Sequence, residues 1–96
     1  MVTEFAEIDV KPGMAAAFIE GVKASIAIFL RAAGCHGANL QRSVEQPTHF
    51  VLNIKWDSVA AHTAFRASPD FALWRGNVGH CFAAPPNVWH GEIVAE

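Results

Sequence analysis

The sequence lacks the features that mark several large classes of protein. Only seven of its 96 residues are lysine or arginine, and they are scattered, so the clustered positive charge of a nucleic-acid-binding surface is missing. No apolar run is long enough to span a bilayer, and residues 1–10 lack the basic start of a signal peptide. We therefore expect a cytoplasmic protein that binds neither nucleic acid nor membrane.

Cysteine is also scarce, with one thiol at Cys35 and one at Cys81. Two cysteines are too few for a disulfide framework, and their spacing does not match that of metal ligands. The chain contains no glycine-rich phosphate loop, no flavin fingerprint and no Ser-His-Asp order. We expect reduced thiols and no metal site.

Apolar residues are abundant for so short a chain. They make up 52% of the sequence, which has seven phenylalanines, three tryptophans and no tyrosine. A chain of this length forms one domain, here residues 1–96, and buries only a thin core. The excess of apolar residues indicates a homodimer in which a second copy covers part of the surface; the alternative is a monomer with a large ligand cavity.

Apolar periodicity predicts an alternation of strands and helices. A period of two predicts strands over residues 2–10, 38–45, 49–56 and 88–94. Helical spacing predicts a long helix over residues 14–33 that stops at Gly34, and two short helices, one capped by Asp57 or Ser58 and one by Ser68 before Pro69 and Asp70. Residues 35–37 and 80–87 are expected to be loops.

The predicted order is β-α-β-β-α-β, with the second helix broken in two. This is the ferredoxin-like split βαβ arrangement, an α+β fold with one four-stranded antiparallel sheet and its helices on one face. The other face carries apolar side chains at Phe5, Val51, Trp89 and Ile93. We expect a second copy to cover this face.

Several short motifs, in this order and spacing, resemble the antibiotic biosynthesis monooxygenase family. They are Lys11-Pro12-Gly13, Gly34-Cys35-His36-Gly37, Arg42 to Pro47, Trp56-Asp57-Ser58, Ala61-His62, Ala67 to Phe71 and Pro85-Pro86. The resemblance covers essentially the whole chain and implies a dimeric α+β barrel, in which two ferredoxin-like sheets close face to face.

The resemblance also implies a range of activities, because one scaffold hosts many chemistries. Members of similar build oxygenate aromatic polyketide intermediates or quinols without a metal or organic cofactor, degrade haem, or isomerise small signalling sugars. The haem-degrading members use an Asn, a Trp and a His where this chain aligns Ala6, Phe65 and Arg75. Because all three positions depart, haem degradation is not expected.

His62 is the candidate catalytic base. It shares a helical stripe with Val59 and Phe65 and should point towards the sheet. An imidazole in an apolar pocket could take a proton from a phenol or an acidic CH₂ group. The alternative is a structural histidine whose ring nitrogens bond the backbone or neighbouring side chains.

The aromatic residues suggest a cavity between the helices and the sheet that would suit a flat ring, with Arg75 holding a developing phenolate. The alternative is an ordinary aromatic core beside a solvated arginine. The candidate substrate-binding residues are Phe18, Trp56, Phe65, Phe71, Trp74 and Arg75.

A second candidate site lies on the last strand. His90 and Glu92 are predicted to share one face, with Glu7 nearby across the sheet. They could form a base and its orienting partner, or a metal site, although two ligands at this spacing are a weak metal signal.

The function we expect is that of a homodimeric monooxygenase that needs no cofactor and acts on an aromatic, polyketide-derived or quinol-like small molecule. Two alternatives stay open. One is a non-enzymatic small-molecule-binding dimer, and the other is an isomerase or lyase that works by proton transfer alone.

Overall fold

The strands and helices follow the predicted order. The computed structural model describes all 96 residues. Its elements are β1 (Val2–Asp9), α1 (Ala15–Leu30), β2 (Cys35–Arg42), β3 (His49–Trp56), α2 (Val59–Arg66), α3 (Pro69–Val78), a 3₁₀ turn (Gly79–Cys81) and β4 (Asn87–Gly91). The fold is ferredoxin-like α+β, as the sequence predicts. None of the helices combines the length and the apolar character needed to cross a membrane.

The four strands form one antiparallel sheet in the order β2-β3-β1-β4. The central strand β1 pairs with both β3 and β4, so that Glu4 lies opposite Ile54 on one side and His90 on the other. Residues in register share a face of the sheet. The register therefore brings Glu4 and His90 to the same face.

The core lies between the sheet and the helices. On β3, Phe50, Leu52, Ile54 and Trp56 are all fully buried. This matches the alternation predicted for β3, since a period of two turns every second side chain to the same face. The helix-covered face of β1 is apolar except at one position near its start.

Helices α1 and α3 pack at unusually close range. A Cβ atom at Gly21 would lie 2.7 Å from the Asn77 carbonyl oxygen, so the contact requires glycine. Asn77 Nδ2 donates to Ser25 Oγ at 2.9 Å, and Ser25 Oγ donates to the Gly21 carbonyl at 2.7 Å. These bonds fix α3 on α1 and thereby aim one side of α3 at the sheet.

The turns around α2 and α3 use the predicted cap residues in part. Ser58 caps α2, because its Oγ accepts from the Ala61 N–H at 3.2 Å. Ser68 stands at the N-cap of α3, but its Oγ donates instead to the Phe65 carbonyl at 2.6 Å. Asp70 lies in the first turn of α3 and receives two hydrogen bonds from Arg31, at 2.9 and 2.7 Å. Asp70 therefore ties the first turn of α3 to the end of α1.

Three predicted elements have wrong boundaries. Helix α1 ends at Leu30 rather than at residue 33, because the chain already turns towards Gly34, which has a φ of 83°. Strand β2 runs over Cys35–Arg42 rather than 38–45, and the predicted loop 35–37 is a bulged strand start that pairs with the end of β3. Strand β4 stops at Gly91 rather than at residue 94, because its partner β1 has almost no residues left to pair with.

The face of the sheet away from the helices carries a second aromatic pair. The Phe5 and Trp89 rings stack with centroids 4.4 Å apart, and Trp89 is 48% exposed. Trp89 Nε1 donates to Glu7 Oε2 at 3.1 Å. We call this side of the sheet the outer face and the side under the helices the inner face.

Candidate active site

A cavity of about 520 Å³ lies between the inner face and the helices α2 and α3. Its volume is within the range of small-molecule sites. The lining residues are Glu4, Ala6, Ile8, Phe29, Leu52, Ile54, His62, Phe65, Arg66, Phe71, Trp74, Arg75, Phe82, Pro85, Pro86, Asn87 and Val88.

Most of the candidate site residues meet at this cavity. His62 and Phe65 reach it from α2, and Phe71, Trp74 and Arg75 reach it from α3. Because only Ala67 and Ser68 separate α2 from α3, side chains from two helices converge on one space. Their role in binding a substrate stays a prediction.

Two of the predicted pocket residues do not line the cavity. Phe18 is fully buried between α1 and β3, with its ring centroid 4.9 Å from that of Phe50. Trp56 is also fully buried and stacks on the His62 ring, with centroids 5.4 Å apart. Trp56 therefore supports His62 from behind, whereas Phe18 belongs to the general core.

Aromatic rings in contact with one another form part of the cavity wall. Phe65 meets Phe71 edge to face, with centroids 6.0 Å apart, and Trp74 meets Phe29 in the same way at 4.9 Å. Such offset and edge-on arrangements are the favourable ones for aromatic pairs. A planar ligand would find ring faces and edges already held in place.

Two guanidinium groups line the cavity without a carboxylate partner. The Arg75 guanidinium lies over the Phe71 and Phe82 rings, 5.9 and 5.1 Å from their centroids. The one ion pair that an arginine makes joins Arg31 to Asp70, outside the cavity. Arg66 and Arg75 are therefore available to an anionic group of a ligand.

A chain of polar contacts runs through the buried side of the cavity. Trp56 Nε1 donates to Glu4 Oε1 at 2.9 Å. His62 Nε2 lies 3.2 Å from the same oxygen, and His62 Nδ1 lies 2.7 Å from His90 Nε2. Glu4 and His62 are only 6% and 4% exposed. Glu4, His62 and His90 thus form one largely buried acid–base chain, which we call the Glu4–His62–His90 chain. Trp56 is hydrogen-bonded to its Glu4 end.

Burial shifts both central groups of the chain towards their neutral forms. Burial raises the pKa of Glu4 above its ordinary value, and the Trp56 hydrogen bond and the Arg66 charge only partly oppose this. Burial also lowers the pKa of His62 to about 4, and electrostatic repulsion from His90 and Arg66 adds to the effect. His62 is therefore a neutral imidazole near pH 7.

The predicted site on the last strand does not form. His90 faces inward and contacts His62, whereas Glu92 lies beyond the end of β4 and is exposed. Glu7 lies on the outer face, where it accepts from Asn87 Nδ2 and Trp89 Nε1. His90 shares the inner face with Glu4, its partner in register. Side chains alternate along β1, so Glu7 lies on the face opposite to Glu4 and cannot reach His90.

Glu4 was not among the residues predicted for the site. Glu4 lies between Val2 and Ala6 in the alternating set of β1 residues that face inward. This position in the alternation could have indicated that Glu4 is buried. A charged residue in a buried register is uncommon and usually has a partner. No group of three or more His, Cys, Asp or Glu side chains is arranged to hold a metal ion.

The fold and the cavity define a class of protein, a ferredoxin-like domain with a small-molecule cavity between its helices and its sheet. The family model for antibiotic biosynthesis monooxygenase matches residues 1–77, and the chain belongs to this family. No functionally curated protein matches the chain at a significant level.

Solved structures agree with this assignment. A Bordetella bronchiseptica protein named for the family is 45% identical, covers 98% of this chain and 97% of its own, and superposes with a TM-score of 0.96. A protein from Nitrosomonas europaea with the same family name is 21% identical over 99% of this chain and 100% of its own, with a TM-score of 0.85. One from Caulobacter crescentus is 20% identical over 98% and 90%, with a TM-score of 0.83. The last two support the fold alone.

Proposed function

We propose that this protein is a monooxygenase that needs no metal or organic cofactor and acts on an electron-rich aromatic molecule of the polyketide or quinol type. The observation that carries the proposal is the pairing, in one cavity, of aromatic walls with a buried acid–base chain and unpaired guanidinium groups. Family membership supports the reaction class.

The chemistry requires three things of the protein. It must hold a flat ring, remove a proton from it and keep water away from the resulting anion. Phe65, Phe71 and Trp74 supply the ring contacts, and Arg75 can hold the developing phenolate or enolate oxygen. The buried chain that includes His62 supplies the proton acceptor.

An anthrone illustrates the balance of the reaction. Loss of a proton from its CH₂ group leaves an electron pair that is shared between that carbon and the oxygen of the ketone group. The carbanion then bonds to O₂ and, after protonation, gives a hydroperoxide; loss of water from this leaves a carbonyl group. The sum is CH₂ plus O₂ giving C=O plus H₂O, so O₂ is the only co-reactant.

Oxygen uptake with a panel of anthrones and quinols tests the proposal. We expect turnover by the wild-type protein and much slower turnover by His62→Ala at pH 7, because that change breaks the acid–base chain. Absence of uptake with the whole panel would count against the oxygenase. Ligand-dependent quenching of tryptophan fluorescence without turnover would favour the non-enzymatic binding protein. Product formation without oxygen would favour the isomerase.

The proposed assembly is a homodimer that buries the outer face. Its support is the half-exposed aromatic pair of Phe5 and Trp89 on a sheet face that no helix covers. Sedimentation equilibrium should give twice the protomer mass, and Trp89→Glu should dissociate the dimer because it places a second carboxylate beside Glu7. A wild-type protein that sediments as a monomer at micromolar concentration would rule the assembly out.

A further inference from the structure

We infer that Glu4 is the catalytic base that takes the substrate's proton, and that His62 and His90 are positioning residues behind it. This inference rests on the proposed function, because it names the proton acceptor of that same cavity. It differs from the expectation drawn from the sequence, which assigned the base to His62.

The two carboxylate oxygens of Glu4 have different surroundings. The indole of Trp56 and the imidazole of His62 both approach Oε1 of Glu4. Oε2 takes part in no hydrogen bond, yet every fully buried side-chain nitrogen or oxygen has a partner. Oε2 is therefore not sealed in the core, and because Glu4 lines the cavity, this free oxygen faces the space where a ligand would lie.

The positions of the protons in the chain also distinguish Glu4 from His62. With Glu4 ionised, a proton on His62 Nε2 faces the carboxylate, and His90 Nε2–H donates to His62 Nδ1. The other tautomer would set the Nε2 lone pair of His62 against Glu4 Oε1 at 3.2 Å. The 3.2 Å contact is an electrostatic approach and not a hydrogen bond. In the favourable arrangement Nε2 of His62 carries a proton and Nδ1 accepts from His90, so His62 has no free lone pair and the free lone pairs belong to Glu4.

The electrostatic surroundings of the Glu4 carboxylate also suit a base. Charged or titratable groups face Glu4 from four elements: His62 and Arg66 from α2, His90 from β4, Cys35 from β2 and, across the cavity, Arg75 from α3. Burial outweighs these neighbours and raises the pKa of Glu4 towards the working pH, which suits a general base.

The proposed step is balanced. The substrate C–H or O–H bond breaks, its proton binds to Oε2 of Glu4, and its electron pair stays on the substrate, delocalised onto the oxygen that Arg75 can reach. No electron leaves the substrate in this step, so the step proceeds without oxygen and can be measured separately from the oxygenation.

The experiment is exchange of the CH₂ protons of anthrone for deuterium in D₂O under argon, followed by proton NMR. Wild-type protein should accelerate exchange above the buffer rate, and Glu4→Gln should slow it by about a hundredfold or more. Gln can still accept from Trp56, so the fold should persist, and circular dichroism checks this. Glu7→Gln, which alters the matched carboxylate on the outer face, should exchange like wild type.

His62→Leu tests the positioning role. Loss of the group beside Oε1 should raise the pKa of Glu4 and move the pH profile of exchange to higher pH, while the maximal rate stays within about tenfold of wild type. A purely structural role would lower the rate without moving the profile.

The outcomes separate the two proposals. Exchange without oxygen uptake in air would refute the oxygenase but retain Glu4 as the base. Exchange that survives Glu4→Gln but is lost in His62→Leu would overturn the assignment and leave the oxygenase standing. Exchange at the buffer rate with wild-type protein would overturn the assignment as well.

Discussion

Each face of β1 carries a glutamate that accepts a hydrogen bond from a tryptophan of a neighbouring strand, but the surroundings of the two pairs differ. On the inner face Trp56 donates to Glu4 at 2.9 Å, and on the outer face Trp89 donates to Glu7 at 3.1 Å. The inner carboxylate side chain is 7% exposed and the outer one 35%. The inner tryptophan also stacks on His62, whereas the outer one stacks on Phe5.

The comparison shows that residue type and hydrogen bonding do not by themselves make a reactive group. Both carboxylates accept from an indole, but burial raises the pKa of Glu4, and only Glu4 borders a cavity. Desolvation turns an ordinary ion into a group whose proton affinity suits acid–base chemistry. The outer pair, half exposed on a bare sheet face, suits contact with another surface.

The largest expected difference between the faces is in stability. Trp56→Ala should lower the free energy of unfolding by about 3–5 kcal/mol, because it empties a fully buried site in the core. Trp89→Ala should cost about 1 kcal/mol or less within the protomer, since half of the ring is already exposed.

Urea unfolding followed by circular dichroism measures both values. It should be carried out at several protein concentrations, so that any loss of dimer contacts by Trp89→Ala is separated from loss within the protomer. Equal costs at low concentration would mean that the outer pair is as much a part of the core as the inner one.

Much of this contrast could be predicted from the sequence. The alternation of β1 and β3 assigned Ala6, Leu52 and Trp56 to the covered side and Phe5 to the other, and the structure agrees. The alternation of side chains along a strand is a property of the backbone, so it can be predicted without knowing which elements pack together. The same holds for the turn at Ser58, which needs only a local side-chain acceptor.

The Glu4–His62–His90 chain could not be predicted in the same way. Glu4, Trp56 and His90 are brought together by the register between β1, β3 and β4, which depends on where each strand begins. The length predicted for β4 was wrong for a related reason, because an alternating pattern continues past the point where its partner strand runs out. Likewise, no pattern in the sequence shows whether an aromatic ring such as Phe18 reaches a cavity or lies behind its wall.

The next expected effect is the pH dependence of His62. The pKa of His62 is about 4 in the folded state, against an ordinary value of 6.5. Between these values the unfolded chain binds a proton that the folded chain does not, so stability falls as the pH drops through this window. The loss attributable to His62 should reach about 3 kcal/mol near pH 4.

His62→Gln should remove this part of the pH dependence. The free energy of unfolding of both proteins, measured between pH 8 and pH 4, should differ by a constant amount above pH 7 and converge or cross as the pH falls. Parallel curves across the whole range would show that the folded protein accepts a proton on His62 as readily as the unfolded chain does.

The smallest expected effect is also the one whose sign distinguishes the two carboxylates. Because the pKa of Glu4 is raised on folding, the folded state binds its proton more tightly than the unfolded chain does. The ionised carboxylate therefore reduces stability, and this cost grows as the pH rises from 4.5 through the folded-state pKa. Glu4→Gln, which cannot ionise, should become more stable relative to wild type as the pH rises.

Glu7→Gln should have the opposite effect. It weakens a half-exposed hydrogen bond from Trp89 and should lower stability by about 1 kcal/mol at most. Denaturant titrations of both variants at pH 5 and pH 8 give the two signs directly. If Glu4→Gln is the less stable protein at pH 8, the buried carboxylate contributes more to folding through its partners than its desolvation costs. If Glu4→Gln gains stability and loses proton exchange together, the protein retains Glu4 for its chemistry at a cost to its stability, a trade-off typical of active sites.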